Sequence, residues 1–290
     1  MTAAILPSKI LLDSILKGWL LEDIGRGDRA TQALFDRGVL GKARWIAKEA
    51  GTIAGLPIAA RVFELLDPTS CFTSLVAEGN FCEAGTEIAH LEAPIETLLM
   101  GERVALNLAM RLSGIATMTR KYVDRIADLP VKLVDTRKTT PGLRVLEKYA
   151  FGTGGGINHR MGLDDAAMLK DNHIQAAGDI QTAIARVREK IPYPLTIEVE
   201  TSTLEEVRAA IAAEADIIML DNMPIERMRE AVQLIRAQNP RLKIEASGNV
   251  TLETLRAIAE TGVDYISSSA PITRSTWLDL SMKMFDPTAQ

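Results

Sequence analysis

Cysteine is scarce in this chain: Cys71 and Cys82 are the only two in 290 residues. They form no CxxC pair and no Cys/His spacing that suits tetrahedral zinc. Two reduced thiols, as in a cytosolic protein, are expected. Long apolar runs are also missing. No stretch reaches the roughly 18 residues of a membrane-spanning helix, and Met1 to Lys9 lacks a basic start followed by an apolar run. These absences lead us to expect a soluble, cytoplasmic protein without leader or anchor. An excess of positive charge is absent as well. Lys and Arg number 33 against 38 Asp and Glu, a formal charge of −5. General affinity for nucleic acid or anionic membranes is therefore disfavoured. Nucleotide-binding loops are wanting too: there is no GxxxxGK[ST]. Gly25 to Ala30 fits GxGxx[G/A], but it follows a helical pattern rather than a strand, which removes a Rossmann reading.

The N-terminal text is mixed. Ser8 to Glu22 has helical apolar spacing through Ile10, Leu11, Ile15 and Trp19. Ala43 to Ala54, Cys71 to Ala77 and Thr86 to Leu91 look extended, and Pro57 to Leu66 looks helical, with Pro57 suited to a first turn. Ile95 to Ile126 reads as two helices meeting near Ser113-Gly114. After Pro130 the pattern becomes regular. Short apolar runs (131–134, 166–169, 195–199, 217–220, 242–246 and 263–266) alternate, from 179 onward, with helical stretches at 179–191, 203–214, 224–238 and 252–260. Thr203 and Thr251 are expected as N-caps. Alternation of this kind specifies a parallel sheet with helical crossovers, and short strands dominated by apolar residues suit a sheet covered on both faces. Gly152 to Gly156 is expected to be a flexible loop.

Each apolar run ends in a polar or charged cluster: Asp135 to Lys138, Lys170-Asp171, Glu200, Asp221-Asn222, Ser247-Gly248-Asn249 and Ser267 to Ser269. In a parallel barrel these ends share one mouth, where such folds place their chemistry. About six strands argue for fewer than a full set of eight. Arg137, Lys138, Arg144, His159, Arg160 and Lys170 form a local cationic excess that suits a ligand with several carboxylates or phosphates. Glu200 and Asp221 can hold Mg²⁺ or ribose hydroxyls. The small residues at 247–249 and 267–269 expose amides to an anion. His173 is expected to orient its loop, and His90 to be structural.

In its ordered motifs the chain resembles the quinolinate phosphoribosyltransferase (carboxylating nicotinate-nucleotide pyrophosphorylase) family. The resemblance is carried by Glu22 to Gly25 with Gly27-Asp28 and Thr31, Glu102-Arg103 with Asn107, and Ser113 to Thr117. It continues through Asp135 to Arg144, Gly154 to Gly156, Asn158-His159-Arg160, Gly162-Leu163, Lys170 to His173, Glu198-Val199-Glu200, Leu220 to Asn222 and Ser247-Gly248. It implies an N-terminal α/β sandwich domain (1–113, with 275–290 packing on it) and an open, about seven-stranded α/β barrel (114–274) that holds the active site. It implies quinolinate and phosphoribosyl diphosphate as substrates and Mg²⁺ as cofactor. The expected assembly is a homodimer or an assembly of dimers, with Arg103 contributed across the interface. Arg137, His159, Arg160 and Lys170, with Arg103 and Thr136, would hold the dicarboxylate. Lys138 and Lys170 would meet the donor's charges, and Glu200 and Asp221 would sit by ribose and Mg²⁺. Lys138, Lys170, Glu200 and Asp221 are thus the expected catalytic set. Ser247, Gly248, Asn249, Ser268 and Ser269 would cradle the 5′-phosphate. Asn249 and Ser269 stand where the family often has glycine. The alternatives are a paralogue with another acceptor, a Schiff-base barrel enzyme using Lys138 or Lys170, and a binding protein that kept the fold.

Overall fold

Alternation and turn chemistry set the order of elements in residues 4–285, which the structure, a computed structural model, describes. The chain opens with α1 (Lys9–Ile24) and α2 (Arg29–Leu34), β1 (Leu40–Ala47), β2 (Gly51–Thr52) and α3 (Leu56–Leu66). It continues with β3 (Cys71–Ser74), β4 (Phe81–Cys82), β5 (Glu87–Pro94) and the long α4 (Ile95–Arg125). Then follow β6 (Lys132–Val134), α5 (Arg144–Thr153), β7 (Ala167–Leu169), α6 (Asp171–Ala177), α7 (Ile180–Lys190), β8 (Ile197–Thr201) and α8 (Leu204–Ala212). The last elements are β9 (Ile217–Asp221), α9 (Ile225–Gln238), β10 (Lys243–Ser247), α10 (Leu255–Ala259), β11 (Tyr265–Ser267), α11 (Ala270–Thr273) and β12 (Leu280–Met284). None of the described helices is long and apolar enough to cross a membrane.

The first of two units takes in the chain to Arg120, Val145–Gly155 and the segment from Ser275. Its antiparallel sheet has the order β12-β1-β5-β3. Trp45 is fully buried on β1 and meets Phe63 and Phe72 edge-on at 6.4 and 5.6 Å, the geometry that aromatic quadrupoles favour. Glu78 caps α3: its carboxylate accepts the amides of Gly55 (2.8 Å) and Leu56 (2.9 Å) and the Tyr149 hydroxyl (2.7 Å). Pro57 sits in the first turn of α3, as its missing N–H allows. His90 is half-buried on β5 and lies 3.0 Å from Glu87.

α4 runs unbroken for 31 residues across 113/114, and the first unit takes it in as far as Arg120. Two helices meeting at Ser113-Gly114 are therefore corrected to one. Gly114 is there for closeness, not for a break: a Cβ on it would lie 1.9 Å from the Thr276 carbonyl. The 145–155 stretch groups with the first unit. Within it α5 persists through Thr153, so the expected glycine loop begins later than Gly152. The segment from Ser275 joins the first unit through β12, which pairs with β1; residues 286–290 lie outside the described residues.

The second unit holds a six-stranded, all-parallel sheet in the order β6-β11-β10-β9-β8-β7. Ile157 adds a single parallel bridge to Val134 on β6, so a seventh strand position exists but is one residue long. Between Ile157 and β7 no ladder forms among the described residues, which leaves the barrel open there. Thr203 caps α8 in a reciprocal capping box with Glu206. Thr251 does not cap α10. It opens a turn whose Thr254 occupies the cap, since α10 begins only at Leu255.

Gly114→Ala is expected to cost about 2 kcal/mol or more, because a methyl must displace backbone. Gly18→Ala, with nothing within 4 Å of the added methyl, should gain about 0.5–1 kcal/mol. Denaturant unfolding of the two variants checks the difference in sign.

Candidate active site

Period-two alternation brings pairs of residues to one strand face: Met168 with Lys170, Glu198 with Glu200, Met219 with Asp221, Glu245 with Ser247. Parallel pairing puts all these strand ends at the same end of the sheet. There a cavity of about 600 Å³ opens, within the second unit. Its rim carries Thr136, Arg137, Lys138, Lys170 and Asn249, and its wall carries Arg160, Glu200, Asp221, Ser247 and Gly248.

Two of the cations crowd each other. Burial first, and the neighbouring Arg137 second, hold the Arg160 guanidinium below the ordinary arginine range. Arg160 donates to the Ala166 carbonyl at 3.0 Å, and neither arginine forms an ion pair among the described residues. Lys170 is different: its ammonium lies 2.5 Å from Glu200. Arg144 lines no part of the cavity. It braces the loop through Thr139 Oγ1 (3.1 Å) and the carbonyls of Met161 (3.3 Å) and Arg137 (3.4 Å). His173 likewise serves the loop, its Nδ1 accepting the Lys170 amide at 3.1 Å.

The floor is acidic. His159 Nε2 faces Glu198 at 3.0 Å and Glu245 at 3.5 Å, and both glutamates are buried. Burial works against a charged imidazole, while hydrogen bonds to the two carboxylates raise its pKa. His159 Nδ1 accepts the Arg160 amide at 2.7 Å. While that contact holds, the ring's proton sits on Nε2, and a second proton requires giving the contact up. Burial raises the Glu198 carboxyl. Glu198 and Glu245 each keep one buried oxygen, Oε1, without a partner, a cost of about 1–3 kcal/mol apiece. Asp135, fully buried, accepts the Asn158 side-chain amide and the His159 backbone amide, each at 2.8 Å.

The predicted cradle is only partly at the cavity. Gly248 has φ +94°, and a Cβ there would meet Asn222 Oδ1 at 2.1 Å. Asn249 adopts φ 51°, the left-handed region, so asparagine tolerates the dihedral that glycine would take freely. Its side chain donates to Asn222 Oδ1 at 3.2 Å. Ser268 and Ser269 do not line the cavity. Ser268 is buried, its amide donates to Val134 (3.0 Å) and its hydroxyl to Val250 (3.4 Å), so neither is free for a ligand. Ser269 precedes the four-residue α11. Arg103 is exposed on α4 in the first unit and is not among the lining residues.

Sequence reasoning assigned no role of their own to Asp135, Met168, Glu198, Met219, Asn222 and Glu245. A signal for the two glutamates was present. A carboxylate inside an apolar run, two residues before a functional one, shares its inward face.

Comparison with known proteins adds the lineage. The C-terminal domain model of quinolinate phosphoribosyl transferase matches residues 115–283, and the N-terminal domain model matches residues 28–113. The chain belongs to the quinolinate phosphoribosyl transferase family. It is 63% identical over 281 residues to a probable nicotinate-nucleotide pyrophosphorylase [carboxylating] of Synechocystis, covering 96% of this chain and 94% of that protein. A Bacillus subtilis protein of the same designation is 46% identical over 93% of this chain and 92% of its own length. The crystal structure of NadC from Streptococcus pyogenes superposes with a TM-score of 0.92 at 42% identity, covering 97% of this chain and all of that one. The fold of the family, an α/β barrel with an N-terminal domain, is the one described above.

Asp135→Ala removes the buried acceptor of two hydrogen bonds and should cost about 3 kcal/mol. Chemical denaturation of the variant measures this.

Proposed function

We infer that the protein is a phosphoribosyltransferase of NAD biosynthesis. It joins quinolinate to 5-phosphoribosyl 1-diphosphate and releases CO₂ and diphosphate to give nicotinate mononucleotide. The observation that carries this reading is the pairing of Arg137 and Arg160, neither of them in an ion pair among the described residues, with Ser247, Gly248, Asn249 and the acids Glu200 and Asp221 around one cavity. Two guanidiniums that raise each other's energy call for a ligand with more than one negative charge, gripped in the paired geometry that arginine favours.

In this reading Arg137 and Arg160, with Thr136, hold the carboxylates of quinolinate. Met168 and Met219 offer polarizable surface to the ring. The amides of Gly248 and Asn249, beside Ser247, take the 5′-phosphate. Lys138 and Lys170 neutralise the leaving diphosphate. Glu200 and Asp221 end neighbouring strands on the cavity wall, and their hard oxygen donors suit ribose hydroxyls and Mg²⁺, held directly or through water. When bound, Mg²⁺ supplies charge neutralisation to the diphosphate. The ribose C1–O bond to diphosphate breaks through a cationic transition state, and the pyridine nitrogen attacks C1. The bond from the ring to the 2-carboxylate then breaks, its electron pair stays on carbon beside the quaternised nitrogen, and a proton takes the place of CO₂. No covalent nucleophile is needed; positioning and fixed charge do the chemistry.

Lys170 is paired with Glu200, a contact that suits charge neutralisation better than nucleophilic attack on a carbonyl. A cytoplasmic homodimer, or an assembly of dimers, completes the reading, with the exposed Arg103 offered to the neighbouring subunit's quinolinate.

Incubation with quinolinate, phosphoribosyl diphosphate and Mg²⁺ should release CO₂ and nicotinate mononucleotide in equal amounts. Lys138→Ala and Arg160→Ala should each lower kcat/KM by at least roughly 10²–10³ with far-UV dichroism unchanged; rates near the parent's contradict the assignment. Chelation by EDTA should abolish turnover and added Mg²⁺ restore it, as coupled diphosphate release would report.

A further inference from the structure

The segment Asn158-His159-Arg160 lies at the open seam of the barrel, where sheet pairing is reduced to the single bridge of Ile157. A strand end normally takes its position from the ladder on both sides. Here three buried acids from three strands replace it. Asp135, just past β6, holds the Asn158 side chain and the His159 amide. Glu198 of β8 and Glu245 of β10 hold the far side of the His159 ring through Nε2. With Nε2 fixed, Nδ1 faces the Arg160 amide. Both ring nitrogens are therefore engaged by the protein, and His159 is a spacer between buried acids and the backbone of Arg160.

The two glutamates are poor choices for stability alone. Each leaves a buried oxygen unpartnered, whereas an apolar pair of the same volume would leave none. Such a mismatch is tolerated where geometry matters more than stability.

We propose that Glu198 and Glu245 are positioning residues that act through His159 to set Arg160 for the dicarboxylate, taking the place of the missing strand at the seam. The inference rests on the quinolinate reading above. It assigns the glutamates an effect on one substrate only, because the cradle at Ser247 to Asn249 and the acids Glu200 and Asp221 hang on β8, β9 and β10, which keep their ladders.

The test compares Glu198→Leu and Glu245→Leu with Glu198→Gln and Glu245→Gln in the full chain. Each leucine variant should raise the KM for quinolinate about ten-fold or more, as misplacing a substrate clamp does, while the KM for phosphoribosyl diphosphate stays within about two-fold. Glutamine keeps an oxygen that accepts from Nε2, so each glutamine variant should recover at least about three-fold of the loss. An unchanged quinolinate KM, an equal rise for both substrates, or equal losses for leucine and glutamine overturn the proposal. Should a leucine variant not fold, ¹⁵N-histidine NMR of the parent and of Glu198→Gln decides, with His159 assigned through His159→Gln. A protected Nε2–H that shifts in Glu198→Gln supports the clamp; an Nε2 without a proton, or a resonance that does not move, overturns it. A parent that turns over no quinolinate would sink the proposed function, and the NMR arm would still judge the clamp.

Discussion

Like charges gathered in one cavity are the constraint on which the rest of this fold depends. Burial first, and the neighbouring Arg137 second, hold the Arg160 guanidinium below its ordinary range. That arrangement persists only because covalent and hydrogen-bonded scaffolding fixes both against their repulsion. Arg160 is tied at its side chain to the Ala166 carbonyl, and at its amide to His159. Arg137 sits in a loop braced by Arg144, a cation spent on backbone carbonyls instead of ligand. Cations fixed by such scaffolding are the electrostatic preorganisation that catalysis without a covalent nucleophile requires.

The open barrel has a consequence for how that scaffolding is built. Closed parallel barrels position every loop from two flanking strands. At the seam here the loop after Ile157 has one flank, and buried carboxylates make up the difference. The acids also lie beneath the cations, so the second unit alternates sign with depth: guanidinium and ammonium at the rim, imidazole below, carboxylates at the floor. Such layering keeps a cationic mouth compatible with a chain whose overall charge is negative.

Much of this was legible in the letters. The six strands stand where short apolar runs end in polar clusters, because burial on both faces leaves an unmistakable pattern. Eleven of the expected site residues, Thr136 to Lys138, His159, Arg160, Lys170, Glu200, Asp221 and Ser247 to Asn249, line one cavity. The failures have physical causes. Gly114 looks like a helix break, yet it marks the approach of the Thr276 carbonyl from 162 residues downstream, and local sequence carries no trace of that. Gly152 and Thr153 sit in the last turn of α5 for a similar reason: tertiary packing overrides propensity. Ser268 has the composition of a phosphate loop, but its amide and hydroxyl go to Val134 and Val250, a choice set by pairing and not by residue type. Glu245 was passed over because an acid inside an apolar run reads as part of the buried strand, although its place two residues before Ser247 puts both on one face.

The central claim is that the cavity is built for a ligand with two adjacent carboxylates. Calorimetric titration of the parent protein with quinolinate and with nicotinate, which lacks the second carboxylate, puts it to the test most directly. Quinolinate should bind at least about ten-fold more tightly, a difference of about 1.4 kcal/mol, and the margin should shrink as salt is raised. Equal affinity for the two acids, at any ionic strength, would contradict the account.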